Sequence, residues 1–437
     1  MATEDAGGTS LGSKVGLARD VTGYAWRLAL GSLLGLVLGF TDTLVVAKHS
    51  TEALGAVAFG AAIYELPANV LMGALIAHRI LAPATYRDKH GDGLLNITLP
   101  LLGGGMCFIA IVTAVGEWFP NISGWIGSEA IRYLAYRSPA LLFEVAMAAL
   151  TISLLVRGVK RAPVVCSAVV VIVNVLLDIV FVNGYMGFGP NGAAGAGLAS
   201  SVSSVLGAAL LAVWLVRVAG WSITNFHRSD GTYAGWLRLS WPACLSAVLD
   251  YGGALLFVEL VRLVGDDSLA GLRLGLQFHM MLFIVISSLS NASLNVLGSK
   301  RSNDARDLAV LIAEVKPLFR ACVLVCAVAA VPIIFAIQGI FRLDSAVFES
   351  AVLMVVAVAI SAPFAGYAYL AVTELRLLRN TKIEMFGNVL ATWCIQLPFA
   401  YMMAKLGWGN MVFFGLVGYW IFRMAYYRVA LQRYYRL

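Results

Sequence analysis

About twelve apolar stretches, each close to the length that crosses a lipid bilayer, follow one another along almost all of this 437-residue chain. A membrane-spanning helix needs roughly 20 apolar residues. With 60% hydrophobic and 13% charged residues, the composition is far from that of soluble proteins. The sequence therefore predicts an all-α integral membrane protein with twelve transmembrane helices, at 23–47, 54–78, 94–116, 133–155, 163–183, 193–216, 236–264, 268–297, 317–341, 349–373, 382–404 and 409–430.

The basic residues indicate how these spans are oriented. Lys and Arg gather in the loops on one side, whereas the other side carries little more than Lys48, Arg132, Arg342 and Lys405. Cytoplasmic loops hold the excess of Lys and Arg, so we expect a multi-pass protein of the cytoplasmic membrane with both termini in the cytoplasm. This bias also accounts for the net charge of +7, and nucleic-acid binding is not expected.

A long polar connection near the middle divides the spans into six and six. Internal symmetry of this kind is typical of transporters, and basic loops follow both the fourth and the tenth span. We therefore predict two pseudosymmetric six-helix lobes. The predicted segments are a cytoplasmic tail at 1–22, an N-lobe at 23–217, a linker at 218–235, a C-lobe at 236–430 and a second cytoplasmic tail at 431–437.

Acidic residues within the spans are the strongest indication of a functional site. A charge in the hydrocarbon costs about 2.5–3.5 kcal/mol on insertion scales, so such residues usually have a function. Asp42 lies near the outer end of the first span, and Asn174 and Asp178 share one face of the fifth. At 1.5 Å per residue the two acids lie within about 5 Å in depth. Two carboxylates in one low-dielectric pocket do not both ionise readily, so the pair could bind and release a proton; alternatively, each acid only hydrogen-bonds a neighbour.

Other polar side chains inside the spans could line a cavity or join helices. Glu65 and Asn69 are one turn apart in the second span, where they either face a cavity or form a buried hydrogen-bonded pair. Glu144 is at mid-depth in the fourth span and Asp250 near the middle of the seventh. The eighth span carries a polar patch of Arg273, Gln277 and His279. The six cysteines indicate neither a disulfide framework nor a metal site.

Several segments, in their order and spacing, resemble one family. They are FTDTLVVAKHSTEALGAVAFG at the end of the first span, VRGVKRAPVVCSAVVVIVNVLLDIVFVNG leading into the fifth, GPNGAAGAGLASSVS opening the sixth and LSWPACLSAVLDYGGA opening the seventh. The last quarter follows the same family more loosely. The chain thus resembles the multidrug and toxic compound extrusion (MATE) transporters over nearly its whole length.

This resemblance implies two six-helix lobes and export of compounds in exchange for protons or sodium. Asp42, Asn174 and Asp178 match the polar cluster of the family's N-lobe, and Ser200 falls where that cluster often has a threonine. The cluster resembles that of the DinF-type branch, whose coupling ion is mostly taken to be the proton.

The C-lobe departs from the family pattern. Asp250 matches an acidic position of helix seven that the sodium-linked NorM-type branch uses. Its expected acidic companion in helix ten aligns to Ala365. The resemblance therefore supports a C-lobe sodium site less well than an N-lobe proton site.

The leading hypothesis is a proton-coupled exporter of cationic or amphiphilic compounds that works by alternating access. Protonation of Asp42 and Asp178 from outside would neutralise the pocket, rearrange the first helix and expel the substrate. A sodium-coupled exporter and a flippase for lipid-linked saccharides are the alternatives. No HExxH or comparable motif indicates an enzyme. We expect a monomer whose partners are a small organic substrate and the bilayer, with no cofactor beyond H⁺ or, in the alternative, Na⁺.

Overall fold

The computed structural model describes residues 6–87, 93–118, 128–187, 191–219, 232–300, 305–341 and 345–436, and this part of the chain consists of helices joined by short turns. The first six helices are α1 (Ala6–His49), α2 (Thr51–Arg87), α3 (Gly93–Trp118), α4 (Ser128–Val156), α5 (Ala162–Asn183) and α6 (Gly192–Ala219). The next four are α7 (Thr232–Arg262), α8 (Asp266–Lys300), α9 (Ala305–Phe341) and α10 (Ser345–Leu377). Three consecutive pieces, Thr381–Leu390, the π-helical Ala391–Gln396 and Leu397–Lys405, make up α11, and α12 is Gly415–Arg436.

The prediction of an all-α membrane protein with twelve helices is confirmed. Most predicted spans agree with the helices to within a few residues, but α1 begins at Ala6 instead of residue 23 and α9 at Ala305 instead of 317. Within the described residues, nine helices are long and apolar enough to cross a membrane. The other three are α3, whose apolar stretch is Leu101–Val115, the interrupted α11, and α12, which is rich in Tyr and Arg.

The chain divides into two compact units, each described here by itself. Residues 30–247 form the first unit, and residues 248–437 with the first 29 residues form the second. The predicted lobe boundaries stay a prediction.

Small residues on α6 determine the packing of the first unit. A Cβ atom on Gly195 would lie 2.5 Å from the carbonyl oxygen of Phe181 on α5, and one on Gly197 would lie 2.7 Å from that of Tyr133 on α4. Real Cβ contacts are not this short, so the backbones approach closely only because both positions are glycine. This packing brings the faces of α4, α5 and α6 that carry polar residues close together.

The second unit contains an aromatic core beside the π-helical segment of α11. Trp420 stacks on Phe283 with ring centroids 5.2 Å apart and lies 5.5 Å from the ring of Tyr369. The indole Nε1 of Trp393, within the π segment, donates to the carbonyl oxygen of Leu249 on α7 at 3.2 Å. Short π segments inside α-helices are frequent at functional sites, and this one borders the cavity described below.

Candidate functional site

The amide of Asn174 holds two carboxyl groups in the first unit. Its Nδ2 donates to Asp42 Oδ1 on α1 and to Asp178 Oδ2 on α5, each at 2.8 Å. The two carboxyl groups therefore lie close together on either side of one amide nitrogen. Asn174 and Asp178 are fully buried, and Asp42 is half-buried. The structure thus brings together the three residues that the sequence placed at one depth.

A serine on α6 completes the environment of this amide. Ser203 Oγ lies 2.8 Å from Asn174 Oδ1, to which it donates, and 3.0 Å from the carbonyl oxygen of Ser200. Ser200 is buried as well, but in these contacts it contributes its backbone. The hydroxyl that orients the amide therefore belongs to Ser203, three residues beyond the position suggested by the resemblance.

A partly buried ion pair lies next to the carboxyl cluster and was not predicted. Arg137 Nη2 is 2.9 Å from Glu144 Oε1, both on α4, and their side chains are 20% and 27% exposed. Tyr64 on α2 donates its hydroxyl to Glu144 Oε2 at 2.9 Å. The guanidinium of Arg137 also lies over the Tyr64 ring, 4.6 Å from its centroid. Glu144, expected to line a cavity, thus has two partners.

The guanidinium of Arg137 also interacts with the carboxyl cluster. Arg137 is close enough to Asp42 and Asp178 to interact with both electrostatically. The site in the first unit therefore combines three acidic side chains and one guanidinium among the described residues. The seven-residue spacing from Arg137 to Glu144 places both on one helix face, which is the sequence signal that could have indicated the pair.

Four other predicted residues lie apart from this cluster or outside the described part. Glu65 and Asn69 on α2 are both exposed, so the alternative of a buried hydrogen-bonded pair does not hold. Arg273 and Gln277 lie in α8, but their side chains are outside the described residues.

The second unit places Asp250 at the end of a chain of hydrogen bonds. Asn388 Nδ2 on α11 donates to Asp250 Oδ2 at 3.4 Å, a long contact. Tyr427 on α12 donates its hydroxyl to Asn388 Oδ1 at 2.8 Å and accepts from Arg423 Nε at 3.3 Å. Ala365 on α10 is fully buried and supplies no carboxylate to this region.

A cavity of about 400 Å³ adjoins this series of hydrogen bonds. Its walls include Asp250, His279, Tyr419, Trp420 and Arg423. Arg423 is only 6% exposed, and its guanidinium lies 4.5 Å from the Trp420 ring centroid and 5.1 Å from that of Tyr419. The sequence reasoning missed Arg423, although its four-residue spacing from Tyr419 and Tyr427 could have indicated an aromatic cage.

Comparison with known proteins places this geometry in context. A scan against models of protein families found no match. The chain is 25% identical over 436 residues to the probable multidrug resistance protein NorM of Neisseria meningitidis, covering 94% of this chain and 92% of that protein. It is 23% identical over 416 residues to the probable multidrug resistance protein NorM of Thermotoga maritima, covering 90% and 86%.

Solved structures agree on the fold. The Vibrio cholerae MATE transporter VcmN in the bent form superposes with a TM-score of 0.79 at 18% identity, over 97% of this chain and 98% of that one. A MATE structure in complex with MaL6 gives a TM-score of 0.81 at 14% identity, over 95% of both chains.

Fold and relatives define a multi-pass membrane transporter. The relatives and solved structures that the chain resembles are named as multidrug resistance proteins and MATE transporters, so the resemblance drawn from the sequence is confirmed, as is the expectation that the chain is not an enzyme. Its assignment to the DinF-type branch stays a prediction.

Proposed function

We propose that this protein exports organic compounds by antiport with protons, and that Asp42 and Asp178 carry the coupling proton. The observation that carries the proposal is the convergence of both carboxyl groups on one amide, Asn174 Nδ2, at 2.8 Å each in a buried pocket. A pair held in this way can take up a proton on one side of the membrane and lose it on the other.

Electrostatics favours a protonated pair. Two carboxylates about 4 Å apart repel by about 4 kcal/mol at an effective dielectric constant of 20. Asp178 Oδ1 is buried and meets no N–H or O–H donor among the described residues. A proton shared with Asp42 would remove the repulsion and supply the missing hydrogen bond. Arg137 nearby would stabilise the pair once that proton has left.

The relatives and the polar side chains support cationic or amphiphilic compounds as the substrate class. Both NorM relatives are named as multidrug resistance proteins, so we propose multidrug efflux for this chain. Exposed Glu65 and Asn69 on α2, and Asp250 beside the second-unit cavity, suit a cationic or amphiphilic compound. One proton moving down a 100 mV potential supplies about 2.3 kcal/mol, enough to maintain a useful concentration gradient.

Sodium coupling through Asp250 is the second candidate. Asp250 lies on the wall of the second-unit cavity, but Ala365 offers no second carboxylate. A flippase for lipid-linked saccharides needs a cationic cavity, and Arg423 in the second-unit cavity is the observation in its favour. For all three alternatives we propose a single chain in the cytoplasmic membrane with both termini inside.

The test is uptake of a fluorescent organic cation into everted vesicles under an imposed pH gradient or an imposed sodium gradient. Wild type is compared with Asp42→Asn, Asp178→Asn and Asp250→Asn, and Glu259→Gln, at an exposed position on α7, serves as the control. We expect the pH gradient alone to drive transport, and both N-terminal substitutions to lower its rate at least tenfold. Sodium-driven transport abolished by Asp250→Asn would refute the proposal.

A further inference from the structure

Two adjoining cavities open between α9, α10 and α12 in the second unit, away from the hydrogen-bond chain that ends at Asp250. The larger has a volume of about 820 Å³ and the smaller about 220 Å³. They share the wall residues Lys316, Tyr367 and Leu370. Together they form one groove, which we call the α9–α10 groove.

Three cationic side chains line this groove. Lys316 borders both cavities, Arg320 the smaller one and Arg428 the larger one. None of the three forms an ion pair with a carboxylate in the described parts of the chain. Glu374 is also on the wall, but it accepts a hydrogen bond from the Tyr435 hydroxyl. The groove therefore presents positive charge to a ligand.

The outer face of α9 continues from this cationic end as an apolar stripe. Leu324 is 64% exposed, Val328 is 62% exposed and Phe335 is 72% exposed. From Leu324 to Phe335 the stripe rises about 16 Å at 1.5 Å per residue. This length is close to half of the roughly 30 Å hydrocarbon core, which is the thickness of one leaflet.

We infer that the α9–α10 groove is a binding site for one anionic glycerophospholipid. The phosphate lies among Lys316, Arg320 and Arg428, and the acyl chains run along the exposed stripe of α9. Basic pockets between transmembrane helices on the cytoplasmic side bind anionic head groups. The positive-inside bias assigns this end of the helices to the cytoplasm, so the lipid comes from the inner leaflet.

The experiment is native mass spectrometry of the full chain in detergent, with dioleoylphosphatidylglycerol or dioleoylphosphatidylcholine added. Each cation near an anionic head group contributes about fivefold to binding. The triple variant Lys316→Gln/Arg320→Gln/Arg428→Gln should therefore bind phosphatidylglycerol about a hundredfold more weakly than wild type. The matched control removes three exposed Arg residues from the same predicted side and should change binding less than twofold: Arg161→Gln/Arg217→Gln/Arg433→Gln.

Two further measurements keep the inference testable if the triple variant folds poorly. Arg320 is exposed, so Arg320→Gln alone should fold and bind about fivefold more weakly, whereas Arg320→Lys should bind like wild type. Glycerol phosphate, which has the head-group charge but no acyl chains, should not displace the lipid. Equal binding of both lipids would mean annular lipid only, displacement by glycerol phosphate would mean a free phosphate site, and either result would overturn the inference.

Discussion

Removal of Arg137, the partly buried cation beside the carboxyl cluster, gives a sharp test of the network in the first unit. Arg137→Met keeps an unbranched apolar stem and removes the guanidinium with its charge, which leaves Glu144 with the Tyr64 hydroxyl as its remaining described partner. Loss of one member of a fully buried pair costs about 3–5 kcal/mol. Because these side chains are 20% and 27% exposed, water partly solvates the orphaned carboxylate, and we expect a loss of about 2 kcal/mol.

The double variant Arg137→Met/Glu144→Gln separates the pair interaction from the cost of the orphaned charge. It should be more stable than the sum of the single losses predicts, with a coupling energy of about 1.5 kcal/mol. The control cycle uses Glu259 and Arg262 on α7, a pair at 2.6 Å whose side chains are 51% and 60% exposed. Exposed pairs contribute little, so this coupling should stay below about 0.5 kcal/mol.

The assay is reversible unfolding in mixed micelles titrated with sodium dodecyl sulfate, followed by tryptophan fluorescence. All variants of both cycles are measured under one set of conditions. If the coupling of the Arg137–Glu144 cycle is no larger than that of the exposed pair, the reasoning that this ion pair is buried and stabilising is wrong.

Three other substitutions test the packing and hydrogen bonding described above. Gly197→Ala should cost about 1–3 kcal/mol in the same unfolding assay, because the methyl group meets an α4 carbonyl oxygen, whereas Gly103→Ala, which has open space among the described atoms, should not destabilise the protein. Tyr427→Phe should cost about 1–3 kcal/mol by removing the hydroxyl between α11 and α12, while Tyr434→Phe at an exposed position should stay within about 0.5 kcal/mol. Asn174→Ala should lower pH-driven uptake into everted vesicles at least tenfold, because both carboxyl groups lose their shared donor; a wild-type rate would contradict the proposed cluster.

The helices could be predicted because the apolar stretches are long and the polar loops between them are short. The first residues of α1 and α9 could not be predicted. Residues 6–22, which include Gly- and Ser-rich sequence, read as a tail, yet α1 begins at Ala6. Charged residues obscure the start of α9, which begins at Ala305 in a segment with two Arg and two Asp residues near its N-terminal end. Hydropathy indicates which residues lie in the membrane. It does not indicate where a helix begins when the helix continues beyond the apolar stretch.

The candidate site was predictable only where two spans carry acids at one depth. Counting residues from the span ends was enough to associate Asp42 with Asp178 and Asn174. Arg137 and Arg423 were missed because a single arginine resembles the many basic residues that orient the protein. Local spacing can indicate their partners on the same helix, but the contact of Arg137 with Tyr64 on α2 depends on how the helices pack.

The close contacts of α6 also restrict how the cluster can change. Since Gly195 and Gly197 leave no room for even a methyl group, we expect α4, α5 and α6 to move together, so that Asn174 and Arg137 keep their separation. Asp42 lies on α1, which is not one of these three helices. The state of the cluster then reduces to a single coordinate, the distance from Asp42 to the amide of Asn174. One pair of spectroscopic probes, on α1 and α5, would be enough to follow it through a transport cycle.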